Sequence, residues 1–212
     1  MSSCRDSTIR ANKEIKMSID KLFWALRGII YKSFFGHFGN LSYIGKPVSI
    51  IGKKNIYVMN RVRIYPGVRM EAIGNGKIKI EENTSIGQNF HVTSDVETLL
   101  IGKSTVISGN VFITNIDHGY KEMGKQILKQ KRIVTTTRIG ENCFIGYGAA
   151  IQAGTILGKQ CVVGANSVVR GIFPDYCVIV GAPAKVVRRY NPQSGEWERV
   201  DKSNDRCNNS NV

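Results

Sequence analysis

Imidazole and thiol side chains, the groups best suited to acid–base, nucleophilic or metal chemistry near neutral pH, are few in this sequence. They are His37, His91 and His118, with Cys4, Cys143, Cys161, Cys177 and Cys207. No CxxC pair occurs and the cysteine count is odd, so neither a zinc site nor a disulfide framework is expected. A three-histidine metal site would need a second imidazole near His118, and five residues on stands Met123 instead. No metal is therefore expected. His118, in "ITNIDHGYKE" (Ile113 to Glu122), is left as a general base or an ordinary loop residue. Asp117 is a poor partner for its ring, because neighbours on an extended chain point to opposite sides. Glu122, Asp95 or a backbone carbonyl are the expected orienting groups.

What holds His118 in place is a repeat. Stepping by six from Ile44 meets Ile50, Ile56, Val62, Val68, Gly74, Ile80, Ile86 and Val92. A second run is Ile101, Ile107, Ile113, and a third is Ile139, Ile145, Ile151, Leu157, Val163, Val169. A helix repeats its apolar residues at three and four, and an ordinary strand at two. Period six predicts a parallel β-helix in which three units make one triangular coil. About six coils are expected, a prism roughly 29 Å tall at the spacing of paired strands. The fifth position of each unit must be small, as in Cys143, Ala149, Thr155, Cys161 and Ser167. Cys143 and Cys161 are thus predicted to be buried free thiols. The second position is often glycine, where the backbone must bend.

The clock stops between Ile113 and Ile139, so residues 118–138 are expected as a protruding loop, rich in Lys and Arg. The organisation expected is a helical cap over 1–40, a β-helix over 41–190, and a partly disordered polar tail over 191–212. Within the cap, Ile19, Leu22, Phe23, Leu26, Ile29, Ile30 and Phe34 fall at helical spacing, with Ser18 placed to cap the helix. Two readings stand for this helix: a lid on the open end of the prism, or a basic amphipathic helix making peripheral membrane contact through Lys21, Arg27 and Lys32. The N-terminal stretch lacks the apolar core of a signal peptide, which predicts a cytoplasmic protein, at the inner membrane face under the second reading. The net charge of +14 points to an anionic partner. No aromatic-basic stacking module accompanies it, so nucleic acid is not expected.

Three features occur together: the hexapeptide coils, a histidine at the junction of coil and loop, and the stretch "IGENCFIGYGAAIQAGTILGKQCVVGANSVVRGIFPDYCVIVGAPAKVVRRY". In these the chain resembles the hexapeptide-repeat acyltransferases, closest to the maltose and galactoside O-acetyltransferases and the lipopolysaccharide and capsule O-acetyltransferases. The resemblance implies an all-β fold, a left-handed parallel β-helix, in a homotrimer with sites between neighbouring prisms. It implies acetyl-CoA as donor and a sugar or polysaccharide-precursor acceptor, with His118 as general base. Acceptor contacts carry over to Asn89, with His91 and Asp95 on the same rim. Coenzyme A contacts carry over to Gly146, Tyr147, Ala165, Arg170, Lys185 and Arg188. Tyr147 replaces a small polar residue of the family. Transfer to a hydroxyl is the leading expectation. Acetylation of an amino sugar and a non-catalytic β-helix binding subunit stand as alternatives.

Overall fold

The computed structural model describes residues 19–200. The period of six becomes a coil because of its corners. Asn83, Asn89, Asn110, Asn142 and Asn166 all sit at corners with φ between 54° and 58°. Asparagine is among the few non-glycine residues that enter this left-handed region readily. Each such corner ends one short strand and turns the chain onto the next face.

The result is a left-handed parallel β-helix with three faces. The first face runs through seven strands, from His37–Phe38 to Ile172–Phe173. The second runs from Tyr43–Ile44 to Cys177–Gly181 and is extended by two antiparallel strands, Ala184–Asn191 and Glu196–Arg199. The third has six strands, from Ser49–Ile51 to Val168–Val169. Six coils are therefore complete, as the repeat predicts, and two faces begin a seventh.

In-register pairing stacks like on like. Ile44, Ile64, Ile86, Ile107, Ile145, Val163 and Ile179 form one inward column. All seven are buried, and each such side chain contributes about 1.5–3 kcal/mol by leaving water. Cys143 and Cys161 are buried free thiols, as expected, and Cys177 is a third. The Sγ atoms of Cys143 and Cys161 donate to the carbonyls of Gly158 and Pro174, each at 3.2 Å.

The lower coils depart from the expected phase. Val58, Ile64 and Met70 occupy the first-position columns, not Ile56, Val62 and Val68. The latter three are buried as well, two residues earlier, at the fifth position. From Ile50 to Val58 is eight residues, two more than a unit; from Met70 to Ile80 is ten, four more. The first excess is taken up by Gly52 and the 3-10 turn Lys53–Asn55, the second by the turn at Gly74. Together they make one whole unit, so the clock reads in phase on both sides of the slip.

The N-terminal helix covers 19–31; Ser18 and the rest of 1–18 lie outside the described residues. Gly28 lets it approach the first coil. A Cβ there would stand 2.9 Å from the Phe38 ring and 3.1 Å from the Ser42 carbonyl oxygen. Trp24 meets the rings of Tyr43 and Tyr65 at 5.8 and 5.6 Å. Arg27 donates to the Ile44 carbonyl at 3.1 Å. The first coil begins at His37, four residues before the expected boundary at 41, because Phe38 already fills the first-face column. Within the expected tail, Glu196–Arg199 is strand; residues 201–212 lie outside the described residues.

Candidate active site

His118 is carried by an arm rather than a bare loop. After the third-face strand Phe112–Thr114 the chain leaves the prism as an antiparallel hairpin, Ile116–His118 against Arg132–Val134. Asn115, at the base, is 1% exposed. Its Oδ1 accepts from the Asp95 amide at 2.9 Å, and its Nδ2 donates to the Asp95 carbonyl at 3.0 Å and to Ser94 Oγ at 3.2 Å. The side chain thus replaces the backbone ladder where the arm departs. Thr137 closes the other side by donating to the Thr114 carbonyl at 2.9 Å.

His118 lies opposite Arg132 in the hairpin and is exposed. The three nearby carboxylates are engaged elsewhere. Asp117 pairs with Arg170, Asp95 with Arg132 at 3.1 Å, and Glu122 with Lys125 at 2.8 Å. Asp117 is therefore turned away from a dyad with its neighbour, as the extended chain predicts. Asp95 instead holds Arg132, the residue paired across from His118 in the hairpin. Sequence reasoning missed Asn115 and Arg132. The signal for Asn115 was an amide placed just where the apolar clock stops.

His91 lies on the outer side of the third face, its ring tilted 51° against that of Phe112 with centroids 5.0 Å apart. Its Nε2 is 3.1 Å from Thr93 Oγ1 and 3.8 Å from Glu71. Glu71, another residue the sequence did not single out, is largely buried and held by Arg69 Nε at 2.7 Å. Burial depresses the His91 pKa below its ordinary value, Arg69 adds to this, and Glu71 opposes it. His91 and Asp95 share one strand, His91–Asp95. Asn89 is set apart at a corner, with φ of 55° and its amide donating to the Pro66 carbonyl.

The cofactor candidates fall into three places. Gly146, Tyr147 and Ala165 cluster at the corner between the second and third faces. A Cβ at Gly146 would lie 2.6 Å from the Ala165 nitrogen, so the two turns are in contact. The Tyr147 hydroxyl is bonded to Asn110. Arg170 lies at the other edge of the third face, beside the arm. Lys185 and Arg188 are exposed on the antiparallel strand Ala184–Asn191, with no carboxylate in an ion pair with them among the described residues. Unpaired cations at that edge suit a ligand's phosphates. The arm with His118 and the Gly146–Ala165 corner therefore stand on opposite edges of one face. One chain does not bring them together. Among the described residues no group of three His, Cys, Asp or Glu side chains is placed to hold a metal.

Comparison with known proteins gives this geometry a setting. Residues 136–170 match the model of the hexapeptide repeat of succinyl-transferase. The chain is 36% identical over 141 residues to an Escherichia coli protein named as a lipopolysaccharide biosynthesis O-acetyl transferase, covering 63% of this chain and 71% of that one. It is 30% identical over 121 residues to the galactoside O-acetyltransferase of the same species, covering 54% of this chain and 58% of that one. Other curated relatives are spanned over between 37% and 56% of their length. In fold it is similar to the Bacillus cereus N-acyltransferase AntD in complex with dTDP and 3-hydroxybutyryl-CoA. The TM-score is 0.66 at 18% identity, over 79% of this chain and 90% of that one.

Proposed function

The chain belongs to the hexapeptide-repeat acyltransferase family, and we propose that within it the protein moves an acetyl group from acetyl-CoA to a sugar hydroxyl of a surface polysaccharide precursor. The observation that carries this reading is the exposed His118 on a braced arm, in a chain so similar to a lipopolysaccharide O-acetyl transferase. A hydroxyl is a weak nucleophile until its proton is taken as it attacks, and a neutral imidazole does this. In our reading the acceptor oxygen bonds to the thioester carbonyl carbon while His118 receives its proton. The tetrahedral oxyanion collapses, the C–S bond breaks, and the imidazolium returns the proton to the departing thiolate. No acyl-enzyme is needed.

The donor would lie along the Gly146, Tyr147 and Ala165 corner, its phosphates toward Lys185 and Arg188. Arg170 joins it only by giving up Asp117. His91 and Asp95, with Thr93 and Glu71 beside them, are the acceptor-side candidates on the third face. Asn89 is the outlying one. Because His118 and the pantetheine corner sit on opposite edges of a face, we assign the complete site to a cleft between prisms of a homotrimer. A cytoplasmic location, where such precursors and acetyl-CoA meet, fits this activity. No helix among the described residues is long and apolar enough to cross a membrane.

The test is thiol release from acetyl-CoA with matched panels of hydroxyl and amino sugars. Transfer to hydroxyl acceptors is expected. Transfer to amines alone would overturn the O-acetyl assignment, and no acetyl-CoA binding at all would favour a non-catalytic subunit.

A further inference from the structure

The inner side of the N-terminal helix is spent on the prism, through Trp24, Gly28 and Tyr31. Its outer side is apolar as well. Ile19, Leu22, Phe23, Leu26, Ile29 and Ile30 are 48–62% exposed, and at 100° per residue they fall within an arc of about 120° with no charge on it. The first of the two readings, a lid, explains only the inner side. A patch of this kind on a monomer marks an interaction surface. It continues into a groove of about 630 Å³ between the helix and the first coil, where Leu41 joins the apolar lining and Lys21 and Lys32 stand at the edge.

Charge decides among occupants. From residue 19 to residue 70 the sequence holds nine Lys and Arg and a single acid, Asp20. A second copy would bring an equally positive surface against the first, which disfavours self-association here. An anionic bilayer satisfies both features, because it takes apolar side chains below its headgroups and cations among them. We propose that this helix face docks the protein on an anionic lipid surface, Leu22, Phe23, Leu26 and Ile30 entering the acyl region and Lys21 and Lys32 meeting the headgroups. The helix then serves as lid and anchor together, one side for each. The docking does not depend on which acceptor the enzyme uses.

The experiment is vesicle flotation of the full chain on phosphatidylcholine with or without phosphatidylglycerol. Binding should be about tenfold or more tighter on the anionic vesicles and should weaken with salt. A variant carrying Leu22→Ser, Phe23→Ser, Leu26→Ser and Ile30→Ser should lose flotation while keeping its thermal transition and its transfer to a soluble acceptor. These side chains already face solvent, so the fold should tolerate the change. A variant with Lys21→Gln and Lys32→Gln should show a shallower salt dependence. Absence of flotation by the unaltered chain, equal flotation by the serine variant, or an unchanged salt slope would overturn the proposal. A fall in oligomer mass in the serine variant would do so too, by assigning the face to a second copy.

Discussion

The prism and the arm that leaves it are held by different forces. Inside the prism, apolar columns run through successive coils, and a single column of seven residues is buried throughout. The arm over 116–134 has no such column; Met123 and Leu128 are 94% and 78% exposed. It is fixed by a handful of polar contacts: Asn115 on Asp95, Arg132 on Asp95, Arg170 on Asp117, and Thr136 on Glu97 at 2.6 Å. Burial gives the prism its stability without regard to direction, while hydrogen bonds and ion pairs give the arm direction with little stability. That division suits a scaffold carrying a reactive group.

The largest effect should come from attacking the prism. Ile145→Asp places a charge inside the column and should cost more than about 4 kcal/mol, enough to abolish folding. Ile29→Asp, on the open side of the helix, should change stability by less than about 0.5 kcal/mol. Chemical denaturation of the two variants checks the contrast; similar losses would refute the assignment of inside and outside.

Attacking the arm should do the reverse. Arg132→Ala breaks the brace across from His118, and kcat/KM should fall about ten- to a hundredfold. The melting temperature should fall only by a few degrees: the arginine end of this pair is solvent-exposed, but Asp95 is largely buried and loses its ion-pair partner. A large drop in melting temperature with unchanged turnover would mean that the brace belongs to the prism.

Two smaller effects sharpen the same boundary. The interaction with Cys161, together with burial, pushes the Cys143 thiol up; the same interaction pulls Cys161 down, and burial pushes Cys177 up. All three side chains are buried, so Cys143, Cys161 and Cys177 should resist alkylation at mildly alkaline pH until the chain is unfolded. Rapid labelling of the native protein would show that the coils open. His91 supplies the smallest effect. Its pKa is depressed in the fold, so below the ordinary value of about 6.5 the unfolded chain binds a proton that the folded chain does not. Stability should therefore fall slightly on acidification from that value toward the depressed one, and be flat above it. His91→Gln should remove the dependence, as read from denaturation midpoints across that window.

The same division governs what could be read from sequence. Stacking repeats its demand every six residues, so coil number, the buried thiols and the inward columns above Ile80 were legible. The slip in the lower coils was not, because Ile56, Val62 and Val68 are as apolar as the residues that hold the columns. An excess of two and an excess of four cancel to one full unit. The arm's contacts join residues far apart in sequence, such as Asp117 to Arg170 and Arg132 to Asp95, and no period announces them. His118 was marked as a candidate by its position at the end of the clock, and Glu71 went unmarked because it follows no pattern at all.

We propose that His118 is the base and the prism only its mount. The direct test is single-turnover acetyl transfer by His118→Ala, with acetyl-CoA affinity and thermal unfolding measured on the same preparation. Transfer should fall by about a thousandfold or more, with affinity and unfolding unchanged. Turnover near that of the unaltered protein would contradict the account.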